Sequence, residues 1–97
     1  MVLRFEWDEK KNAKNKKKHG VSFEEAAMVF SDPRRYEQYD AVHSLFERRW
    51  ITIGLTGIKA LFVSFTERNN KIRIISARNA DKDEIKEYFY GYDTICN

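Results

Sequence analysis

Arg49-Trp50-Ile51-Thr52-Ile53-Gly54-Leu55 and Ala60-Leu61-Phe62-Val63-Ser64-Phe65-Thr66 place an apolar residue at every second position. That period belongs to strands with one buried face, so the two segments predict a hairpin. Ile51, Ile53 and Leu55 are expected to share a face with Leu61, Val63 and Phe65. This requires a three-residue link, Gly57-Ile58-Lys59, because a slip of one residue would send one set into water. A third strand, Ile72-Arg73-Ile74-Ile75-Ser76-Ala77-Arg78, turns Ile75 and Ala77 to the same face across a five-residue loop from Glu67 to Lys71. Trp50, Thr52, Gly54, Phe62, Ser64, Thr66, Ser76 and Arg78 then fall on the opposite face, which is small, polar and aromatic. A helix packs poorly on such a surface, whereas a flexible polyanion with stackable bases packs well.

The chain before this ribbon reads as two helices and two short strands. Leu3-Arg4-Phe5-Glu6-Trp7 alternates like a half-buried strand, and Asp8 caps a helix whose cationic last turn stops at Gly20. That helix has almost no apolar stripe beyond Ala13, so it reads as a surface element that adds little to a core. Ser22-Phe23-Glu24-Glu25 is a capping box that opens a second helix, ended by Asp32-Pro33. Residues 35–39 read as a short strand and 40–47 as a connection. After the ribbon, Asp81 and Glu84 form another box, starting a last helix through Ile85, Tyr88 and Phe89 to Gly91. The sum is one α+β domain over residues 1–97, a small antiparallel sheet with N-terminal helices and a C-terminal helix.

Composition narrows the function classes. Seven Phe, five Tyr and two Trp in alternating runs make the chain globular although 34% of it is charged. The net charge of +3 is a mild excess, but six lysines crowd between Lys10 and Lys18 while acids gather from Asp81 to Glu87. One cysteine, Cys96, cannot form an internal disulfide, and Met1-Val2-Leu3 is followed at once by Arg4 and Glu6. These features predict a cytoplasmic protein with no membrane segment. Two histidines and that cysteine, well apart, have no metal-ligand spacing, so no metal and no cofactor are expected.

Arginines at strand ends beside small residues point to RNA or DNA, because guanidinium stays charged and presents five donors to phosphate. RNA cleavage without a metal needs a base for the 2′-hydroxyl, cations for the charge on phosphorus and an acid for the leaving 5′-oxygen. His43 is the first candidate for proton transfer, with Asp40 as its orienting partner; the plainer reading is a loop histidine bonded to backbone. His19, before Gly20, reads as a helix cap. Glu67 and Arg68 are catalytic candidates or else a solvated hairpin tip. In the register above, Arg78 lies opposite Ala60, roughly 20 Å from the Glu67 corner, so the two cannot hold one phosphate together. Two arrangements stay open. Either Glu67, Arg68, His43 and Arg48 form the site while Arg78 grips RNA further along, or Arg78 and the first-helix lysines are catalytic and Glu67 is structural. The plainer reading of Arg78 is an ion pair with Asp81 or Asp83. Lys10, Lys14, Lys17 and Lys18 are candidate RNA contacts on one helix, against the plainer reading of a solvated face, and Arg48 and Trp50 are further RNA-binding candidates.

In order along the chain, Phe5-Glu6-Trp7-Asp8, Lys18 through Ala26, Asp32-Pro33, Asp40 with His43-Ser44, Glu47-Arg48, Ile53-Gly54, Thr66-Glu67-Arg68 and Ile72 through Arg78 resemble the BrnT-type toxins of bacterial toxin–antitoxin pairs. The resemblance covers nearly the whole chain. It implies a compact RelE-like fold and endoribonuclease activity that halts translation. It also implies a ribbon-helix-helix antitoxin in a complex with two copies of each chain, with promoter DNA reached only through the antitoxin. Two positions depart from the family's usual residues: Phe65 stands where Tyr is common, and Asp81 where Thr is common. A non-catalytic module that binds only RNA or the antitoxin is the alternative reading.

Overall fold

The computed structural model describes residues 3–57 and 59–96. It is an α+β domain whose elements run β1 (Phe5–Glu6), α1 (Glu9–His19), α2 (Phe23–Met28) with a 3₁₀ turn Val29–Ser31, β2 (Tyr36–Tyr39), β3 (Trp50–Thr56), β4 (Lys59–Arg68), β5 (Lys71–Asn79) and α3 (Lys82–Cys96). The strands form one sheet in the order β1-β5-β4-β3-β2. β2 to β5 are antiparallel as expected, but β1 joins β5 in parallel, with Phe5 opposite Ile72, so the sheet is mixed. The last helix continues past Gly91. The side chain of Cys96 lies outside the described residues.

Local chemistry sets the helix ends where the sequence puts them. Asp8 accepts from the backbone N–H groups of Lys10 and Lys11, which lowers its pKa, and Gly20 closes α1 at φ 70° with its N–H on the Lys16 carbonyl. Ser22 and Glu25 form the reciprocal box at α2, and Asp81 and Glu84 do so at α3. The core is then Val21, Phe23, Ala26, Val29 and Phe30 packed on Leu61, Val63, Phe65, Ile72, Ile74 and Ala77. Phe30 links Phe5 and Phe65 edge-on, with centroids 5.3 and 5.0 Å away.

The register differs from the expected one in both hairpins. β3 and β4 pair from Trp50↔Phe65 to Thr56↔Lys59, leaving a two-residue link, Gly57 and Ile58, in place of three; Ile58 lies outside the described residues. Trp50, Thr52 and Gly54 therefore share the inner face with Leu61, Val63 and Phe65, and Ile51, Ile53 and Leu55 turn outward. The physical reason is that β3 is covered on both sides. A Cβ at Gly54 would stand 2.6 Å from Val29 Cγ1, so glycine admits the 3₁₀ turn against the strand, while the outward-facing Ile53 is fully buried on the side of α3. β4 and β5 join through Asn69-Asn70, at φ 54° and 63°, the geometry of a tight two-residue hairpin turn in place of a five-residue loop. Ser64 pairs with Ser76 but Phe65 with Ile74, so Ile75 is an extra, bulged residue. The bulge brings Ile72 and Ile74 to the inner face together with Ala77 and places Arg78 opposite Phe62.

α1 is also more than a surface helix. Its inward side chains are Asn12 and Asn15, both buried. Asn12 accepts from Phe23 N at 2.9 Å and donates to Glu24 Oε1 at 2.8 Å, holding that carboxyl below its usual range. Asn15 Nδ2 donates to the carbonyls of Val21 and Ala77, at 2.8 and 2.7 Å, and its Oδ1 accepts from Ala77 N at 3.2 Å.

α3 is held by Tyr88, whose phenol donates to Asp32 Oδ2 at 2.6 Å. The same oxygen accepts from Leu55 N. Burial opposes the Asp32 charge, but the bonds from Tyr88, Leu55 N and Arg34 N outweigh it and keep the carboxyl below its usual range. Burial, followed by the bond to Asp32, pushes the Tyr88 phenol up to about 12.

Asn15→Ala leaves both edge groups of Ala77 without the amide, and unfolding free energy is expected to fall by about 2–3 kcal/mol in urea titration. A loss below about 0.5 kcal/mol would show that water replaces the amide. An acid whose folded pKa is raised contributes stability fully below its unfolded pKa and loses it as pH rises through the folded value. Wild type should therefore lose stability between pH 10 and 12 more steeply than Tyr88→Phe in parallel denaturation series.

Candidate active site

The 40–49 loop is tied at its base by side chains the sequence supplies for that purpose. Asp40 N donates to Arg49 O at 2.9 Å, and Ser44 Oγ donates to Asp40 O at 2.5 Å while accepting from Arg49 N at 2.9 Å. Thr66 Oγ1 donates to Arg48 O at 2.5 Å, fastening the end of the loop to β4. Within this frame Asp40 Oδ2 lies 2.9 Å from His43 Nδ1, and Oδ1 accepts from His43 N at 3.3 Å. The carboxylate selects the Nδ1–H tautomer. The ring is 66% exposed, which leaves Nε2 as the nitrogen open to a substrate.

Glu47 spans two arginines. Its Oε1 accepts from Arg49 Nε at 3.3 Å and its Oε2 from Arg68 Nη2 at 3.2 Å. Phe46, Glu47, Arg48, Trp50, Thr66, Glu67 and Arg68 line one cleft, so four expected residues, Glu67, Arg68, Arg48 and Trp50, come together at the end of β4. His43 lines a neighbouring cleft with Leu45 and Arg49; Phe46 and Glu47 form part of both. Among the described residues, neither the Glu67 carboxylate nor the Arg48 guanidinium has a hydrogen-bond or ion-pair partner. Trp50 is not on the outer face as expected: it packs partly on the core and stands 4.9 Å from Tyr39, edge to face.

The remaining candidates lie elsewhere. Arg78 projects from the outer face over the Phe62 ring, 4.1 Å from its centroid, and makes a two-pronged pair with Glu84 at 2.8 and 2.7 Å, not with Asp81 or Asp83. Phe62 is five residues from Glu67 along β4, so Arg78 remains roughly 17 Å from that corner. Lys10, Lys14, Lys17 and Lys18 are exposed, but none lines the clefts around Glu67 or His43. Asn15 pins α1 beside Ala77, so the helix points toward the far end of β5. His19 sits in its last turn.

Three functional-looking residues have no site role in the sequence reading, although Glu47 and Arg73 fall within the stretches that carry the family resemblance. Glu47 lies in a loop whose path no period reveals. Arg73 pairs with Thr66 on the outer face and lies 3.8 Å from Glu6, a placement that depends on the bulge. Arg35 is held 4.9 Å over the Phe30 ring beside Glu37 and Thr52. The outer face thus carries Phe62, Ser64 and Thr66 with Arg73, Ser76 and Arg78, a polar strip beside the loop.

Residues 7–84 match the family model of the ribonuclease toxin BrnT of type II toxin–antitoxin systems. The chain belongs to the BrnT family. The matched span includes the 40–49 loop, both arms of the β4–β5 hairpin and the Arg78–Glu84 pair. A search of curated proteins found no match. At the position where members of the BrnT family often carry Tyr, Phe65 is buried on the inner face and takes no part in proton transfer. Among the described residues, no helix is long and apolar enough to cross a membrane.

Glu84→Gln keeps a capping acceptor but removes the charged pair with Arg78. Amide hydrogen exchange at the start of α3 should then quicken about five-fold while α1 is unchanged; equal rates would mean that the pair contributes nothing to docking the helix.

Proposed function

We propose that this chain is a metal-independent endoribonuclease whose active corner is the end of β4 and the 40–49 loop. The observation that carries this reading is Glu67, a carboxylate with no partner among the described residues, lining one cleft with Arg48 and Arg68, while a histidine oriented by Asp40 lines the adjoining cleft across Phe46 and Glu47. Carboxylates in a cationic corner usually pair; this one has no partner among the described residues. Glu67 takes the proton of a ribose 2′-hydroxyl, and the 2′-oxygen attacks the adjacent phosphorus. Arg48 and Arg68 meet the charge that builds on the phosphoryl oxygens. The bond to the 5′-oxygen breaks, and protonated His43 supplies the leaving oxygen with its proton from Nε2. The products are a 2′,3′-cyclic phosphate and a free 5′-hydroxyl. Arg78, beyond Ser64 and Ser76 on the outer strip, holds the strand further along. Of the two arrangements open from sequence, this is the one with Glu67 at the chemistry.

The activity would halt translation in the cytoplasm, restrained by the antitoxin that a type II system supplies. Following the family resemblance, we take that antitoxin to be a ribbon-helix-helix protein, two copies with two toxins, which alone contacts promoter DNA. Val42, Leu45 and Phe46 are 84%, 81% and 96% exposed beside His43, and Arg48 next to them has no carboxylate partner among the described residues. An acidic amphipathic segment of the antitoxin would cover both.

Purified chain is expected to cut a long RNA in excess chelator, leaving 2′,3′-cyclic phosphate ends. His43→Ala and Glu67→Ala should each lower kcat roughly 10²- to 10⁴-fold, and Arg48→Ala or Arg68→Ala roughly 10²- to 10³-fold. Arg78→Ala should act mainly through KM. Cleavage lost on chelation and restored by a divalent cation would overturn the metal-independent mechanism. Tight RNA binding without cleavage at any pH would leave a binding module only.

A further inference from the structure

On the inner side of the Asn69-Asn70 turn lies a cleft of about 1000 Å³ that the cleavage chemistry above touches only at Glu67, on its wall. Its size is at the upper end of small-molecule sites, ample for a nucleotide and much more than a lone phosphate needs. Arg4, Arg35 and Lys71 line it together with Glu37 and Glu67, which leaves an excess of one positive charge. Arg4 and Lys71 have no carboxylate partner among the described residues. Arg35 differs: stacked on Phe30 and held by Glu37 and Thr52, its guanidinium is fixed in place and serves as a flat surface more than as a free charge.

The turn itself carries the second observation. Both asparagines are left-handed, and the second position of such a turn is usually glycine. Asn70 instead keeps a carboxamide at the cleft's rim, beside that of Asn69, where each can donate to and accept from a base edge. Glu67 is the wall shared by this cleft and the Arg48–Arg68 cleft. A strand with a phosphate at Arg68 therefore needs only to pass over Glu67 to enter.

We propose that this cleft is a second nucleotide subsite, holding the residue of a single-stranded RNA next to the one cut. The base lies against Arg35, its edge faces Asn69 and Asn70, and its phosphate meets Arg4 and Lys71. The identity of the strand rests on the ribonuclease reading, but its binding can be measured apart from cleavage.

The probe is a labelled, fully 2′-O-methylated RNA hexamer of mixed sequence, which lacks the attacking hydroxyl and cannot be cut. Arg4→Ala/Lys71→Ala in the full chain should bind it about ten-fold more weakly. The slope of log K against log salt should fall by about 1.4, about 0.7 for each lost cation. Asn70→Gly, which suits the left-handed backbone and so keeps the fold, should weaken binding with an unchanged slope. Lys82→Ala/Lys86→Ala on α3 removes equal charge away from the cleft and should leave both quantities near wild type. Equal losses in the two double variants, or wild-type binding by both Arg4→Ala/Lys71→Ala and Asn70→Gly, would overturn the subsite. If wild type bound the hexamer through the cleft but never cut natural RNA, the subsite would stand and the ribonuclease mechanism would fall.

Discussion

Asn15 pairs through its side-chain amide with both backbone groups of Ala77, as a residue of a neighbouring strand would. β1 covers only the first part of β5, opposite Ile72 and Arg73, and beyond it the strand edge would otherwise face a helix with unsatisfied groups. The helix in question is mostly lysine and has little apolar surface with which to bind the sheet. Two buried amides therefore do what a hydrophobic stripe does in most helices. Asn15 fixes α1 to β5, and Asn12, by accepting from Phe23 N, fixes the start of α2 to α1. Phe23, Ala26, Val29 and Phe30 are thereby delivered to the inner face, and the apolar core follows from a polar clamp.

The pieces legible in the sequence are those governed by local chemistry. Asp8, Gly20, Ser22 with Glu25 and Asp81 with Glu84 mark helix ends because each satisfies backbone groups within a turn of itself. The face assignments of β3 and β5 depend instead on remote partners. Alternation in β3 suggests one buried side, but Gly54 receives Val29 from one layer while Ile53 is buried under the other. In β5 a single extra residue, Ile75, reverses the parity, and no local feature of Ile74-Ile75 tells which of the two is bulged. The candidate site was legible where it sits on a hairpin end, at Glu67 and Arg68, and in the short Asp40–His43 spacing. It was not legible in Glu47, whose two partners are brought to it by the fold.

Charge pairing divides the arginines into two kinds. Arg78 is fixed by Glu84 at the start of α3 and also lies on an aromatic ring, so it joins the helix to the sheet whatever else it contacts. Arg68 and Arg49 share one carboxylate between them, leaving a net positive charge at the loop. Arg48 adds a further cation there, and Glu67 remains the counter-charge that the arrangement does not neutralise. Around Glu47 the charges are held in place by their neighbours, whereas Arg48 and Glu67 have no such partner among the described residues.

The amide clamp on Ala77 also governs how copies of this chain could associate. With a two-residue β1 and the Asn15 side chain occupying one margin of the sheet, the longer margin left for pairing is Tyr36–Tyr39. A sheet with one free margin can accept one neighbour there, so strand-to-strand growth of copies would stop at a pair. A lysine-rich helix fastened by asparagines thereby stands as a built-in stop against fibre formation.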